Sequence, residues 1–287
     1  MIFTRPVFFY FALFILASAP FGQLEATEIK IGKSDSDLLL DQSNTVTNVS
    51  PSGTHFTLTQ DIGHNWRVSL DYIDWEVNQA KLQKTKVDNQ SYAATIYYFY
   101  DDFVISANYT HWQSQYHGKI ADITRDSQKT TAPSYGIAFA RTYFTDNWLI
   151  EPAISLQYNQ WRTRQHGSSP NEVSFDFLDN LEDETFVLSA LITVSKVIEL
   201  SKEQFVLLGS VFRWNQLFSA EQRQPQLSSA ITGRRGLINS NDESFAELSL
   251  FATYDITPNW MIEVDTSYAF LDTAVHSSLS WRIGYRF

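Results

Sequence analysis

The chain closes on AVHSSLSWRIGYRF (274–287), and the reading of this stretch decides the fold. Val275, Leu279, Trp281, Ile283, Tyr285 and Phe287 share one parity, with Ser277 its polar member. His276, Ser278, Ser280, Arg282, Gly284 and Arg286 occupy the other. Alternation with period two is the pattern of a strand with two unlike faces. The last strand of a soluble sandwich ordinarily frays into polar residues, whereas this one gains aromatics up to its final residue.

The same pattern recurs upstream. WMIEVDTSYAF (260–270) sets Trp260, Ile262, Val264, Thr266, Tyr268 and Phe270 against Glu263, Asp265 and Ser267. WRVSLDY (66–72) sets Trp66, Val68, Leu70 and Tyr72 against Arg67, Ser69 and Asp71. FVISANYT (103–110), WLIEPAISLQY (148–158) and FVLSALITV (186–194) behave alike, the second placing Glu151 opposite its apolar face. Three segments are less clean: 91–100, 134–144 and 204–214. The last is apolar on both parities, and Arg141 shares parity with Ile137 and Phe139.

Connections between these segments alternate in length. DIGHNW (61–66), YDDF (100–103), FTDNW (144–148), ELSKEQF (199–205) and DITPNW (255–260) are short and, for the most part, rich in turn formers. Segments 79–90, 114–133, 162–184 and 217–243 read as long polar loops, with a short LDTA at 271–274. Loops beyond about 15 residues are uncommon in compact soluble domains. Tight turns at one end and longer loops at the other are the habit of transmembrane barrels.

Composition narrows the classes further. The 287 residues are 44% hydrophobic and 15% aromatic, with no cysteine and a formal charge of -11. The acidic balance, without any polybasic run, argues against nucleic-acid binding. After residue 25 no stretch approaches the roughly 18 to 20 apolar residues of a membrane-spanning helix. Residues 1–26 read as a secretory signal: Arg5 precedes an apolar core from Val7 to Leu16, followed by Ala17-Ser18-Ala19. Pro20 disfavours cleavage after Ala19, which leaves the site open between 19 and 26; an uncleaved N-terminal anchor is the competing reading, for which the apolar core is short.

Eleven strands follow from the pattern: 54–62, 66–78, 91–100, 103–113, 134–144, 148–161, 185–198, 204–216, 244–255, 260–270 and 275–287. Single-chain bacterial barrels have even strand numbers, so a twelfth is expected within SDLLLDQSNTVTNV (36–49), ten strands being the second choice. Segment 27–50 is then either that first strand or a plug in the lumen. Trp66, Trp148 and Trp260 directly follow short turns, while Trp75, Trp112, Trp161 and Trp214 stand near the long loops. This arrangement suggests aromatic girdles at two lipid headgroup levels.

At this point the chain resembles a Gram-negative outer-membrane β-barrel. Trp281, Ile283, Tyr285 and a terminal Phe287 are similar to the C-terminal signature such proteins present to the barrel-assembly machinery. A twelve-stranded barrel of this size is similar to autotransporter β-domains of the solitary, passenger-less kind. The resemblance implies residence in the outer membrane, lipid and the assembly machinery as partners, and a structural, porin-like passive-transport or surface-binding role.

Several barrels of this class are enzymes, so an outer-membrane hydrolase of lipid or peptide at the extracellular rim is the alternative. His111 and His117 lie near Ser114, and His166 near Ser168, but neither stretch matches a hydrolase motif. Asp101-Asp102 falls at a short turn, on the wrong side for a rim protease. DFLDNLEDE (176–184) concentrates oxygen ligands without EF-hand spacing and reads first as a solvated acidic loop. No zinc, cofactor or catalytic set is expected. Charges on the lipid face would cost about 2–4 kcal/mol each. Arg67, Asp71, Glu151, Glu263, Asp265, Arg282 and Arg286 are therefore assigned to the lumen. Hairpin order puts Arg282 within reach of Glu263 or Asp265, either as a stiffening network or as a charged constriction that selects solutes.

Overall fold

A sheet in lipid must pair every backbone N–H and C=O internally, because each orphan costs several kcal/mol. Closure into a barrel meets that demand. The computed structural model describes residues 24–42, 45–49, 52–79, 85–120, 123–168, 174–175, 181–201, 204–219, 244–270 and 274–287. Most of the leader read in 1–26 lies outside them. Every regular element among the described residues is a strand. Twelve form the wall: β1 (Leu24–Gln42), β2 (Ser52–Ile62), β3 (Trp66–Gln79), β4 (Thr85–Tyr100), β5 (Phe103–Ile120), β6 (Ile123–Arg141), β7 (Trp148–Ser168), β8 (Leu181–Ser201), β9 (Gln204–Ser219), β10 (Ser244–Asp255), β11 (Trp260–Phe270) and β12 (Ala274–Arg286).

Each strand runs antiparallel to its chain neighbours, and β12 returns to β1, from Glu28↔Arg286 to Leu40↔Ala274. The register measures the stagger. From Lys33, partners lead through Thr54, Asp74, Gln90, Gln113 and Thr131 to Arg162. The other way they lead through Trp281, Val264, Ala252, Leu208 and Lys196 to Trp148. The two paths meet on β7 fourteen residues apart, from position 148 to 162, which is the shear of the barrel. With about 3.3 Å per residue and about 4.8 Å between strands, this shear tilts the strands by about 40° and sets a backbone diameter of about 24 Å.

The outer face is apolar for the reason the alternation gave: Ile105, Ile137, Ile154, Leu188, Phe212, Leu250 and Val264 all point away from the lumen and are exposed. Where the sequence was ambiguous, cross-strand register decides. In β9, Gly209↔Phe251 and Arg213↔Glu247 belong to the inner face, so Leu208, Phe212 and Trp214 face outward. Arg141 ends β6 on the outer face at the short-turn end, its guanidinium over the rings of Phe103 (5.1 Å) and Tyr143 (4.8 Å).

Two expectations change. The first strand begins at Leu24, upstream of 36–49, and segment 27–42 is wall. Its outer face offers only Ile29 and Ile31 before Lys33 and Asp35, too short an apolar run to announce a strand. Also, 79–90, 114–133 and 162–184 are largely strand: β4 starts at Thr85, β5 and β6 extend to Ile120 and from Ile123, and β7 runs to Ser168. Beyond the lipid both faces of a hairpin meet water, so the alternation that reveals a strand disappears while the hydrogen bonds continue. Segment 220–243 lies outside the described residues.

Candidate functional site

Inward-facing charge is concentrated on one half of the wall. Arg282, at 4% exposure, is its hub. It extends from β12 across β11, where its Nη2 donates to Glu263 and, at 2.9 Å, to Asp265. Lys30 on β1 donates to the other oxygen of Glu263 at 2.8 Å and pairs with Glu28 at 2.7 Å. Arg286 binds Glu28 at 2.9 Å and Asp255 at 3.2 Å. The seam that closes the barrel is thus laced by ion pairs between residues more than two hundred positions apart in sequence.

Arg282 also reaches β2, its Nη1 lying 3.3 Å from Nδ1 of His55. A guanidinium only donates, so Nδ1 must accept and the imidazole proton sits on Nε2. Nε2 lies 3.2 Å from the Thr57 hydroxyl and 3.4 Å from Asp71. Thr57 donates to Asp71 at 2.7 Å and Ser69 does so at 3.4 Å. On the facing side, Arg213 of β9 pairs with Glu247 of β10 at 3.6 Å. Arg67 sits at the short-turn mouth, bound to Asp61 at 2.6 Å and over the Phe99 ring. Glu151 stands apart from the hub and accepts from Thr142 at 3.0 Å.

The other half, β4 to β8, is built of hydroxyls, amides and small residues. Ser134 donates to Asn159 at 2.6 Å and accepts from Gln157, and Ser189 donates to Asn215 at 2.7 Å. These hydroxyls and amides bond one another rather than charged groups.

Toward the long-hairpin end the lining turns apolar. Ile73, Trp75, Trp112 and Ala132 form one buried cluster on the inner faces of β3, β5 and β6. Val187 of β8 and Phe245 of β10, at 1% and 4% exposure, face inward on the opposite side. Strand tilt and register place Trp75, Trp112, Val187 and Phe245 within about 2 Å of one height, so they make a layer. Trp75 and Trp112 are therefore not girdle residues: each follows the inner parity of its strand. Trp75 finds room because it lies against Gly53, where a Cβ would come within 2.2 Å of its ring. The outer girdles are other residues. Tyr109, Tyr135, Tyr158 and Phe186 form a row on the outer face that climbs with the strand tilt, and Trp66, Trp148 and Trp260 stand together at the short-turn end.

Below the apolar layer is a cavity of about 420 Å³. Its walls come from both sides of the barrel: His55, Thr57, Asp71 and Tyr97 face Arg213, Glu247, Phe251 and Asp265. Chemically it is a mixed-charge chamber with aromatic faces near one end. Among the described residues no group of three or more His, Asp or Glu side chains could hold a metal ion. His111 lies on the outer face, stacked on Tyr92 and 3.5 Å from the Tyr109 hydroxyl. Asp101 and Asp102 form the β4–β5 turn. The side chains of Ser114, His117, His166 and Ser168, and the acidic segment up to Asp183, lie outside the described ones.

No family model and no curated protein matches the sequence. Solved structures do match the fold. The translocator domain of autotransporter NalP from Neisseria meningitidis superposes with a TM-score of 0.65 at 14% identity, covering 99% of this chain and 96% of that one. The β-domain of the Bordetella autotransporter BrkA gives 0.62 at 15% identity, covering 92% and 100%. At such identity the likeness is one of fold: this chain is a closed, twelve-stranded antiparallel barrel built like those two domains.

Proposed function

We propose that this chain resides in the outer membrane, short turns toward the periplasm and long hairpins outside, and acts through its own lumen as a narrow passive conduit for small polar solutes. The observation that carries this reading is the chamber: polar walls face each other across about 420 Å³ of open space in mid-barrel. A barrel with a purely structural role would be expected to fill that level with packed side chains. The leader, removed between positions 19 and 26, would deliver the chain for export. Trp281, Ile283, Tyr285 and Phe287 on β12 would then serve as the signal read by the barrel-assembly machinery.

Solute uptake tests the conduit. Proteoliposomes carrying the purified chain should swell in isosmotic arabinose faster than protein-free vesicles and should exclude large oligosaccharides. Swelling no faster than the protein-free control would refute the conduit reading.

A further inference from the structure

Resting on the membrane placement proposed above, we infer that Arg141 and Lys196 form a binding surface for anionic phospholipid headgroups in the leaflet that the short turns enter. Among the described residues these two are the only charged side chains on the outer face of the short-turn half of the wall. A charge facing lipid is costly at mid-bilayer and nearly free at the headgroup level, so its position is informative. Arg141 is the register partner of Phe103, the first residue of β5, and Lys196 is the partner of Trp148, the first of β7. Both therefore stand on the last rungs before the short turns. Strand tilt and register put their Cα atoms within about 4 Å of one height and about 16 Å apart along the wall. That spacing suits two headgroups side by side.

Aromatic faces, not carboxylates, hold the two cations. Arg141 lies over the rings of Phe103 and Tyr143, and Lys196 lies 5.2 Å from the centre of the Trp148 ring. Among the described residues neither makes an ion pair with a carboxylate. The inward cations of the same end behave otherwise, Arg67 binding Asp61 and Arg286 binding Glu28 and Asp255. A ring supports the apolar stem and orients the charged head without supplying a full counter-charge. The guanidinium fork and the ammonium thus keep donors for phosphate oxygens, the fork in bidentate fashion. Asp101, Asp102 and Asp146, the carboxylates nearest in the chain, lie exposed in the turns beyond these rungs. With a formal charge of -11 the chain as a whole repels anionic lipid, so a preference for it must arise locally.

The test is lipid retention. The purified full-length chain is folded in a non-ionic detergent and titrated with phosphatidylglycerol or phosphatidylcholine of the same acyl chains. Native mass spectrometry then counts the lipids bound. The parent should retain more phosphatidylglycerol than phosphatidylcholine. Arg141→Gln and Lys196→Gln should each cut that ratio about fivefold, the worth of one basic side chain at an anionic membrane surface, and the double variant should bring it close to one. Lys33→Gln, the same charge change on the outer face toward the other end, should leave it unchanged. Equal retention of the two lipids by the parent, an unchanged ratio in the double variant, or an equal drop in Lys33→Gln would overturn the inference. Flotation with liposomes separates this outcome from the placement it rests on. A parent that does not float overturns both, and one that floats without preferring phosphatidylglycerol overturns only the headgroup site. Heat-modifiable mobility on electrophoresis shows that each variant is a folded barrel, and the single variants carry the reading if the double one does not fold.

Discussion

Arg282 shows how one residue can be both the most expensive and the most consequential in a lumen. Burying a guanidinium is costly unless its donors are matched, and here Glu263 and Asp265 accept from Nη2 and His55 from Nη1. Removing it takes the shared cation from two neighbouring carboxylates, of which Glu263 keeps Lys30. Arg282→Met should therefore lower stability by about 3–5 kcal/mol, read as a shift in the urea midpoint of the refolded barrel. Adding Glu263→Gln and Asp265→Asn to the same chain should return most of that loss, because the charges that Arg282 balanced are removed with it. Arg282→Lys should fall between, a point charge replacing a fork. The Glu263 contact was legible in the sequence, since hairpin order and parity together put Arg282 opposite it. The His55 contact was not: it crosses β1, and only the register around closure brings β2 within reach of β12.

Three hairpins on the short-turn side share a device visible in sequence as Asn followed by Trp. In Asn65-Trp66, the Asn amide donates to the Phe99 carbonyl at 2.9 Å and its carbonyl accepts from the Phe99 amide at 2.8 Å. Asn259-Trp260 repeats both bonds with Arg286, each at 2.8 Å. The Asn147 carbonyl accepts from Val197 at 3.0 Å. Each Trp then packs on the residue just before the one bracketed: Tyr98, Tyr285 and Lys196. The bracket extends the ladder into the turn and anchors its ring at the headgroup level. Asn65→Ala and Asn259→Ala should each cost about 1 kcal/mol, with faster hydrogen exchange confined to the adjoining turn. The recurrence of Trp after short turns was plain in the sequence, but the Asn roles were hidden, because turns favour Asn for reasons unrelated to brackets. The upper tryptophans misled for a comparable reason. Near a long loop an aromatic suits a girdle, and only parity distinguishes inner from outer. If Trp75 and Trp112 narrow the lumen, Trp112→Ala should raise the single-channel conductance, whereas Gly53→Ala should push against Trp75 and the Asp74 carbonyl and cost about 1–3 kcal/mol. Urea unfolding beside conductance separates the two effects.

At the scale of the whole molecule the barrel is asymmetric, and the asymmetry follows the seam. Ionic side chains crowd β9 to β3 through the β12–β1 junction, while among the described inner side chains of β4 to β8 hydroxyls, amides and small residues predominate and Glu151 carries charge. The junction joins the two ends of the chain, so it carries the largest loop-closure cost. Ion pairs inside and aromatics outside offset that cost at one place. The final residue belongs to this closure: the Phe287 amide donates to the Thr27 carbonyl at 2.9 Å, and its ring meets Tyr285 edge-on at 4.8 Å beside Trp260. Phe287 is itself 70% exposed, which means that it contributes little packed area to the finished barrel. A Phe287 deletion and a Phe287→Asp variant should accordingly differ little from the parent in equilibrium unfolding once refolded in detergent. In cells both should accumulate far less in the outer membrane, measured by fractionation and heat-modifiable mobility. Equal loss in both assays would assign Phe287 to stability, and normal insertion would remove it as an assembly signal. A defect confined to cells would mean that the aromatic end of β12 acts before closure, while the strand is still unpaired with β1.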